Sequence, residues 1–392
     1  MSQNEITTLI NLMQSAVLSI SARPVRRKSI YRCLWQVLAC LLILALPAAG
    51  QDAASQIKAE ANRLQQSLKD KPGSFPDIPN ANAMLSGILD STEKSLDAGL
   101  LYLSLEQLVQ ATDALQGARA AAQGAEAAKS SVPSFESEWE RVSRDVAALD
   151  QEARERNWAD AQAAIRAISE TAQAKAVPLL ESGQGFAAAL GPKEGFMFLG
   201  QAQGEAEFAK FCASLDLPRK AAPYPYRSML PELQGLQEKA IAAFQPPRSI
   251  KLHPTFIALN SALKLAEELD AERFYAGALY QYLEAVRQYG LLDALAPDSA
   301  RQSELDNAVA RMRKQLDASG CDDSIAQIFL ERAKSQVRHA DGSAPSEDEW
   351  KSATVIIDRV LPAYFAAKNP PAALARASGG AVDITLVRWP YT

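Results

Sequence analysis

Four cysteines, two histidines and a few carboxylate doublets are the residues of this 392-residue chain whose types could do chemistry. Cys33 and Cys40 fall in the apolar leader described below, which leaves Cys212 and Cys321 as an even pair. In an oxidising compartment such a pair predicts a disulfide, with two separate buried thiols as the alternative. The bridge would close a loop of roughly a hundred residues, a constraint on the order of 4–5 kcal/mol in the chain-entropy account. His253 and His339 are too few for most metal or acid–base constellations. His253 precedes Pro254 at a helix start, where it reads as a surface or cap group, with a pH-sensitive base as the sharper alternative. The doublets Glu267-Glu268 and Asp322-Asp323 read as exposed helix faces or first-turn charges.

The motifs that organise catalysis are missing. There is no H-E-x-x-H, C-x-x-C, G-x-S-x-G or nucleotide-binding glycine fingerprint, so the sequence predicts no catalytic, metal or cofactor site. The glycine-rich stretch from Gly183 to Gly204 has no Gly-Lys-Ser/Thr and no preceding strand, which excludes a phosphate loop. It reads as a tight interhelical turn with a small-residue packing face. The sharper alternative is a backbone-lined pocket at Phe196, Met197, Phe198, Gly200 and Gly204.

The elements that would position these residues are helices. Ala, Leu, Gln, Glu, Lys and Arg dominate, and β-branched runs are nearly absent before residue 380. Ile57, Ala61, Leu64 and Leu68 recur at helical spacing up to Pro72-Gly73. Phe135, Trp139, Val142, Val146 and Leu149 form one apolar face, and Trp158, Ala161, Ile165, Ile168 and Ala172 repeat the rhythm. Asn157 is placed to cap this second helix, which predicts an αα-hairpin with both tryptophans in its core. Further helices are expected near 81–95, 98–128, 231–244, 254–270, 272–294, 299–318 and 322–339. Ser346 and Glu349 form a capping box that opens a last helix to about 367. Leu96-Asp97-Ala98…Tyr102 matches Leu269-Asp270-Ala271…Tyr275 at equal spacing, a hint of a duplicated unit.

Two segments break the helical pattern. Prolines at 218, 223, 225, 231, 246 and 247 mark a connector over 217–250. After Gly379-Gly380, Val382, Ile384 and Leu386 alternate with polar residues and lead to Trp389 and Tyr391. This terminal strand has no internal partner in a helical chain, which makes its side chains a candidate contact for another protein, with a disordered tail, docking on its own bundle or pairing with a further short strand as the alternatives.

The start of the chain supplies an address. Arg23, Arg26, Arg27 and Lys28 precede an apolar segment from Leu34 to Leu46, followed by Pro47-Ala48-Ala49-Gly50. That order predicts a secretory signal peptide cut after Gly50, with an apolar core shorter than the ~20 residues of a membrane span. The alternative is an uncleaved signal that anchors the protein in the inner membrane. Setting aside residues 1–50, with five basic and one acidic side chain, leaves 36 Lys and Arg against 45 Asp and Glu, a formal charge of −9. Such a balance argues against generic nucleic-acid or anionic-membrane binding, both of which need basic footprints.

The sequence therefore predicts an all-α protein of two helical-hairpin bundles, or a short α-solenoid, with a C-terminal strand tail. The expected divisions are a signal peptide (1–50), an N-terminal bundle (51–216), the connector (217–250), a C-terminal bundle (251–369) and the hinge with its terminal strand (370–392). The expected role is non-catalytic binding or scaffolding of proteins in the periplasm or secreted space. A carboxylate-dependent hydrolase, with a cleft between the two halves, is the competing expectation.

Overall fold

Most apolar helix faces read from the sequence meet partner helices in the computed structural model, which describes residues 52–70, 81–127, 134–219, 221–244, 250–294, 297–339 and 342–368. The expected signal peptide and the terminal segment with Val382, Ile384, Leu386, Trp389 and Tyr391 lie outside the described residues. The fold is all-α, and the described residues contain no strand. In chain order the helices are α1 (Ala53–Asp70), α2 (Ala81–Asp97), α3 (Leu101–Ala127), α4 (Phe135–Glu155), α5 (Ala163–Ala189) and α6 (Pro192–Ser214). After the connector come α7 (Leu230–Phe244), α8 (His253–Ala271), α9 (Tyr275–Asp293), α10 (Ser299–Asp317) and α11 (Ser324–Val337). The last run is α12 (Glu347–Val355), a π-helical segment (Ile356–Val360) and α13 (Leu361–Lys368). No helix of the described residues is long and apolar enough to cross a membrane.

The two halves of the chain repeat one order of packing. In the first, α1 lies on α2 and α3, α2 on α3, α3 on α6, α4 on α5 and α6, and α5 on α6. In the second, α7 lies on α8 and α9, α8 on α9, α10 on α11, and the α12–α13 run covers α9, α10 and α11 as α6 covers α3, α4 and α5. Across the halves α5 packs on α9, α11 on α3, and α5 on α11. One apolar cluster consequently runs from Ala53 in α1 to Ala367 in α13, and the described residues from Asp52 to Lys368 belong to one compact unit. The two halves on either side of the connector thus share an apolar cluster.

Helix starts explain how the halves are joined. The first backbone N–H groups of a helix have no partner within it and need an acceptor. For α3, Oε2 of Glu331 in α11 accepts from Tyr102 N at 2.8 Å and Leu103 N at 3.0 Å. For α5, Oδ2 of Asp322 accepts from Ala163 N at 2.7 Å and Oγ of Ser324 accepts from Ala164 N at 2.8 Å. For α9, Oε2 of Glu170 in α5 accepts from Gly277 N at 2.8 Å. At the entry to α7, Asp270 of α8 accepts from Met229 N at 2.5 Å. Glu170 and Glu331 each stand eighth in their helix, so the repeat extends to the capping residue itself. These acids are buried, with Asp322 at 7% and Asp323 at 3% exposure, where the sequence suggested exposed faces or first-turn charges.

A second polar contact sits where the two halves mirror each other. Glu106 and Tyr280 are each the sixth residue of their helices, α3 and α9, and the tyrosine hydroxyl donates to Glu106 at 2.5 Å. Arg332 of α11 also donates to Glu106, at 2.5 Å, and reaches Glu284 at 2.8 Å. Burial acts to raise the Glu284 carboxyl, but Arg332 and Arg287 outweigh it and hold it well below the usual range.

Several expectations hold at residue level and others do not. Ile57, Ala61, Leu64 and Leu68 are buried as a stripe, and Ser346 with Glu349 forms the reciprocal capping box. Asn157 does not cap α5; its Oδ1 accepts from Ala159 N within a turn, and α5 begins only at Ala163. The disulfide is absent. Cys212 is a free thiol buried in α6, while Cys321 lies in the turn before α11 with its Sγ 3.5 Å from the Pro223 carbonyl oxygen. The fold sets Cys212 within α6 and Cys321 in a turn beside the connector, a separation that spacing along the sequence does not reveal.

Two outcomes follow. Under native, non-reducing conditions alkylation should modify the partly exposed Cys321 first and Cys212 only after unfolding, since burial disfavours both thiolates and shields Cys212 completely. A mass two hydrogens short of the dithiol form would show a bridge instead. Burial also pushes the Glu331 carboxyl up to about 7, against the pull of its two backbone donors. The folded state then holds a proton that the unfolded chain releases above about 4.5, so this group's contribution to stability falls as pH rises from there to about 7. Glu331→Gln keeps an acceptor for α3 and cannot ionise. Its melting temperature should gain on that of the wild type across this window, by the equivalent of about 3 kcal/mol at most. A flat difference between the two proteins would show that Glu331 does not titrate there.

Candidate functional site

Arginine gathers at one place in this acidic chain. The turn from α4 to α5, the start of α5, the connector after α6 and the turn from α8 to α9 enclose a cavity of about 700 Å3. Arg154, Arg156, Arg166, Arg219 and Arg273 line it, with the rings of Trp158, Tyr224, Tyr226 and Phe274 and the carboxylates of Glu170, Glu272 and Asp322. A cavity of this volume suits a ligand of drug size.

Three of the guanidinium groups lie over aromatic faces. Arg156 is 4.7 Å from the Trp158 ring centre, Arg166 5.1 Å from Tyr226 and Arg154 5.3 Å from Phe274. These cation–π contacts hold planar donors at set angles to the cavity. The arginines differ in how far their charge is compensated. Arg154 pairs with Asp150 at 2.8 Å and with Glu272 at 2.5 Å, and Arg166 pairs with the buried Glu170 at 2.6 Å. Arg156 donates to the Ala213 carbonyl, a contact that leaves its charge in place. The side chains of Arg219 and Arg273 have no partner among the described residues.

The lining carboxylates are already engaged. Glu170 accepts from Arg166 and Gly277 N, and Asp322 accepts from Ala163 N and from Ser324 N at 3.2 Å. Burial raises the Glu170 carboxyl and Arg166 opposes that rise. The frame around the cavity is held by two isolated β-bridges, antiparallel between Ala161 and Pro218 and parallel between Ala222 and Cys321. They bring the connector against the starts of α5 and α11.

The residues that the sequence proposed as a pocket are elsewhere. Phe196 and Gly200 line a second cavity of about 470 Å3, with Gln116, Gln203, Arg119 and Arg141. Met197, Phe198 and Gly204 do not line it; Phe198 stacks on Phe186 at 4.6 Å, and Gly204 packs on Asp113 of α3. A Cβ at Gly200 would stand 2.3 Å from the Gln116 carbonyl oxygen, so this glycine serves the close crossing of α3 and α6. Trp158 is a correction of another kind. The helical rhythm put it in a hairpin core with Trp139, but it lies in the turn and lines the cavity, while Trp139 packs in the α4–α6 core.

A buried carboxyl pair also exists, Asp113 and Glu205, with Lys175 Nζ 3.3 Å from Glu205 Oε1. Burial, and then the neighbouring Glu205, hold Asp113 well above the usual carboxylate range. This pair sits between α3, α5 and α6 and lines neither cavity. Among the described residues no group of three or more His, Cys, Asp or Glu is arranged to hold a metal ion.

Sequence reasoning missed the five arginines because they are spread over about 120 residues and belong to four separate turns or helix ends. Their common feature in the sequence is proximity to a helix boundary, which singles out no ligand. Compared with protein-family models, curated proteins and solved structures, the chain matches none of them.

Proposed function

We propose that this chain is a non-catalytic binding protein of the periplasm or secreted space, and that its ligand is a small organic anion received in the arginine-lined cavity. The observation that supports this reading is the convergence of five arginines, three without a carboxylate partner, in a chain of net charge −5. Unpaired guanidinium groups repel one another and gain most when an anion is placed between them. Export rests on the basic and apolar leader alone.

The competing hydrolase would need an acid and a base free to meet substrate. Glu170 and Asp322 are committed to helix starts, Glu272 is tied to Arg154, and Asp113 with Glu205 lies away from the cavity. Each of these commitments favours binding over turnover.

The reading is tested by thermal unfolding of residues 51–392 in low salt against a panel of carboxylates and phosphate esters. An anion that binds should raise the melting temperature, by the equivalent of about 2.7 kcal/mol at a hundredfold excess over Kd. Added salt should reduce the shift, and Arg156→Ala with Arg219→Ala should abolish it. A panel without any shift, or a shift indifferent to both arginines, would remove the cavity as the site. N-terminal sequencing of exported protein tests the address, with Gln51 as the expected first residue.

A further inference from the structure

The turn between α8 and α9 contains a residue that the fold alone does not explain. Glu272 N donates to Glu268 O at 3.1 Å, Arg273 N to Asp270 O at 3.0 Å and Phe274 N to Leu269 O at 2.8 Å. These bonds make a Schellman turn, in which the residue after the C-cap must be left-handed. Arg273 occupies that position with φ of 64°, and among the described residues no other non-glycine residue has a positive φ. Glycine is the usual occupant, since a side chain there meets its own carbonyl.

The repeated architecture supplies a comparison within the same molecule. At the matching turn between α2 and α3, Ala98 N donates to Lys94 O at 3.0 Å, Gly99 N to Leu96 O at 2.9 Å and Leu100 N to Ser95 O at 2.8 Å. The bond pattern is the same and the left-handed residue is Gly99, with φ of 71°. Glycine fills this turn in the first half, where the residue does not line the cavity. Arginine replaces it in the copy that faces the cavity, and its side chain has no partner there. Backbone strain of this kind gathers at ligand sites.

Charge fixes the class of ligand. Five arginines and three carboxylates line the cavity, a balance of two positive charges. Arg154 and Arg166 are matched by Glu272 and Glu170, and Asp322 faces the helix starts at Ala163 and Ser324. Arg156, Arg219 and Arg273 remain for the ligand. We infer that the cavity takes a dianion, a phosphate monoester or a dicarboxylate, and that Arg273 is a binding residue held in a conformation the turn would fill better with glycine. This inference rests on the anion-binding reading of the cavity.

Arg273→Gly separates the two roles of the residue. It should raise the melting temperature of the free protein by about 2 °C, as strain at the turn is relieved. It should weaken a dianion at least tenfold while changing a monoanion less than threefold. Isothermal titration at pH 8 and low salt would use phenyl phosphate and benzene-1,3-dicarboxylate as dianions, benzoate as monoanion and inorganic phosphate as the ring-free probe. Preference for phenyl phosphate over the dicarboxylate, or the reverse, identifies which dianion chemistry is meant; both agree with the inference. Equal affinity of wild type for benzoate and both dianions would overturn the dianion class and leave an anion site. Unchanged dianion affinity in Arg273→Gly, or a lower melting temperature, would overturn the role of Arg273. Arg273→Lys should retain part of the preference, because it keeps the charge and loses the planar fork. Binding by none of the four probes would end the cavity reading itself, and this inference with it.

Discussion

The start of a helix exposes N–H groups that must find an acceptor, and in this protein the acceptors come from far away in the sequence. Glu331 serves α3 across more than two hundred residues, and Glu170 serves α9 across more than one hundred. Local N-caps are within reach of any helix, as Ser346 shows at α12. The remote carboxylates do something a local cap cannot, since α3 and α9 are completed only when the halves have met. A buried carboxylate without its donors would carry the whole desolvation penalty, so a half-assembled chain is strongly disfavoured. The apolar cluster shared by the two halves follows from this constraint as much as from apolar area.

The same constraint builds the cavity. Asp322 fixes the start of α5, and α5 presents Arg166 one turn further on. Glu170 fixes the start of α9, beside the turn that carries Arg273. Two of the three carboxylates lining the cavity are therefore structural, and the arginines are what remains available to a ligand. Rigid helix ends on several elements give such a site a fixed geometry without a dedicated loop.

Repetition makes the distinction between fold and function visible. Where α6 and the α12–α13 run, or Glu170 and Glu331, match between the halves, packing and capping are sufficient causes. Differences between equivalent places need another cause. Gly99 against Arg273 is such a difference, with the same hydrogen bonds around a residue of opposite suitability. The sequence carried a trace of the repeat in Leu96-Asp97-Ala98 and Leu269-Asp270-Ala271, which lie at the matching helix ends with their turns offset by one residue. That offset moves the left-handed position from Gly99 to Arg273, so alignment of the short match alone would have paired Gly99 with Glu272.

What was legible in the sequence was what is local. The stripe from Ile57 to Leu68, the face from Phe135 to Leu149 and the box at Ser346 and Glu349 depend on neighbours within a turn or two, and each appears as read. Trp158 continued the rhythm of the second hairpin helix but falls before Ala163, because Asp322, not Asn157, decides where α5 begins. The cysteines show the same limit, since an even count says nothing of where the fold sets each thiol. The arginine site lies beyond local reading altogether: Arg154, Arg219 and Arg273 become neighbours only after the remote caps have fixed the helix ends that bear them. A ligand bound among those ends would meet the elements whose placement the buried carboxylates enforce, so the groups that complete the fold are also those that shape its candidate site.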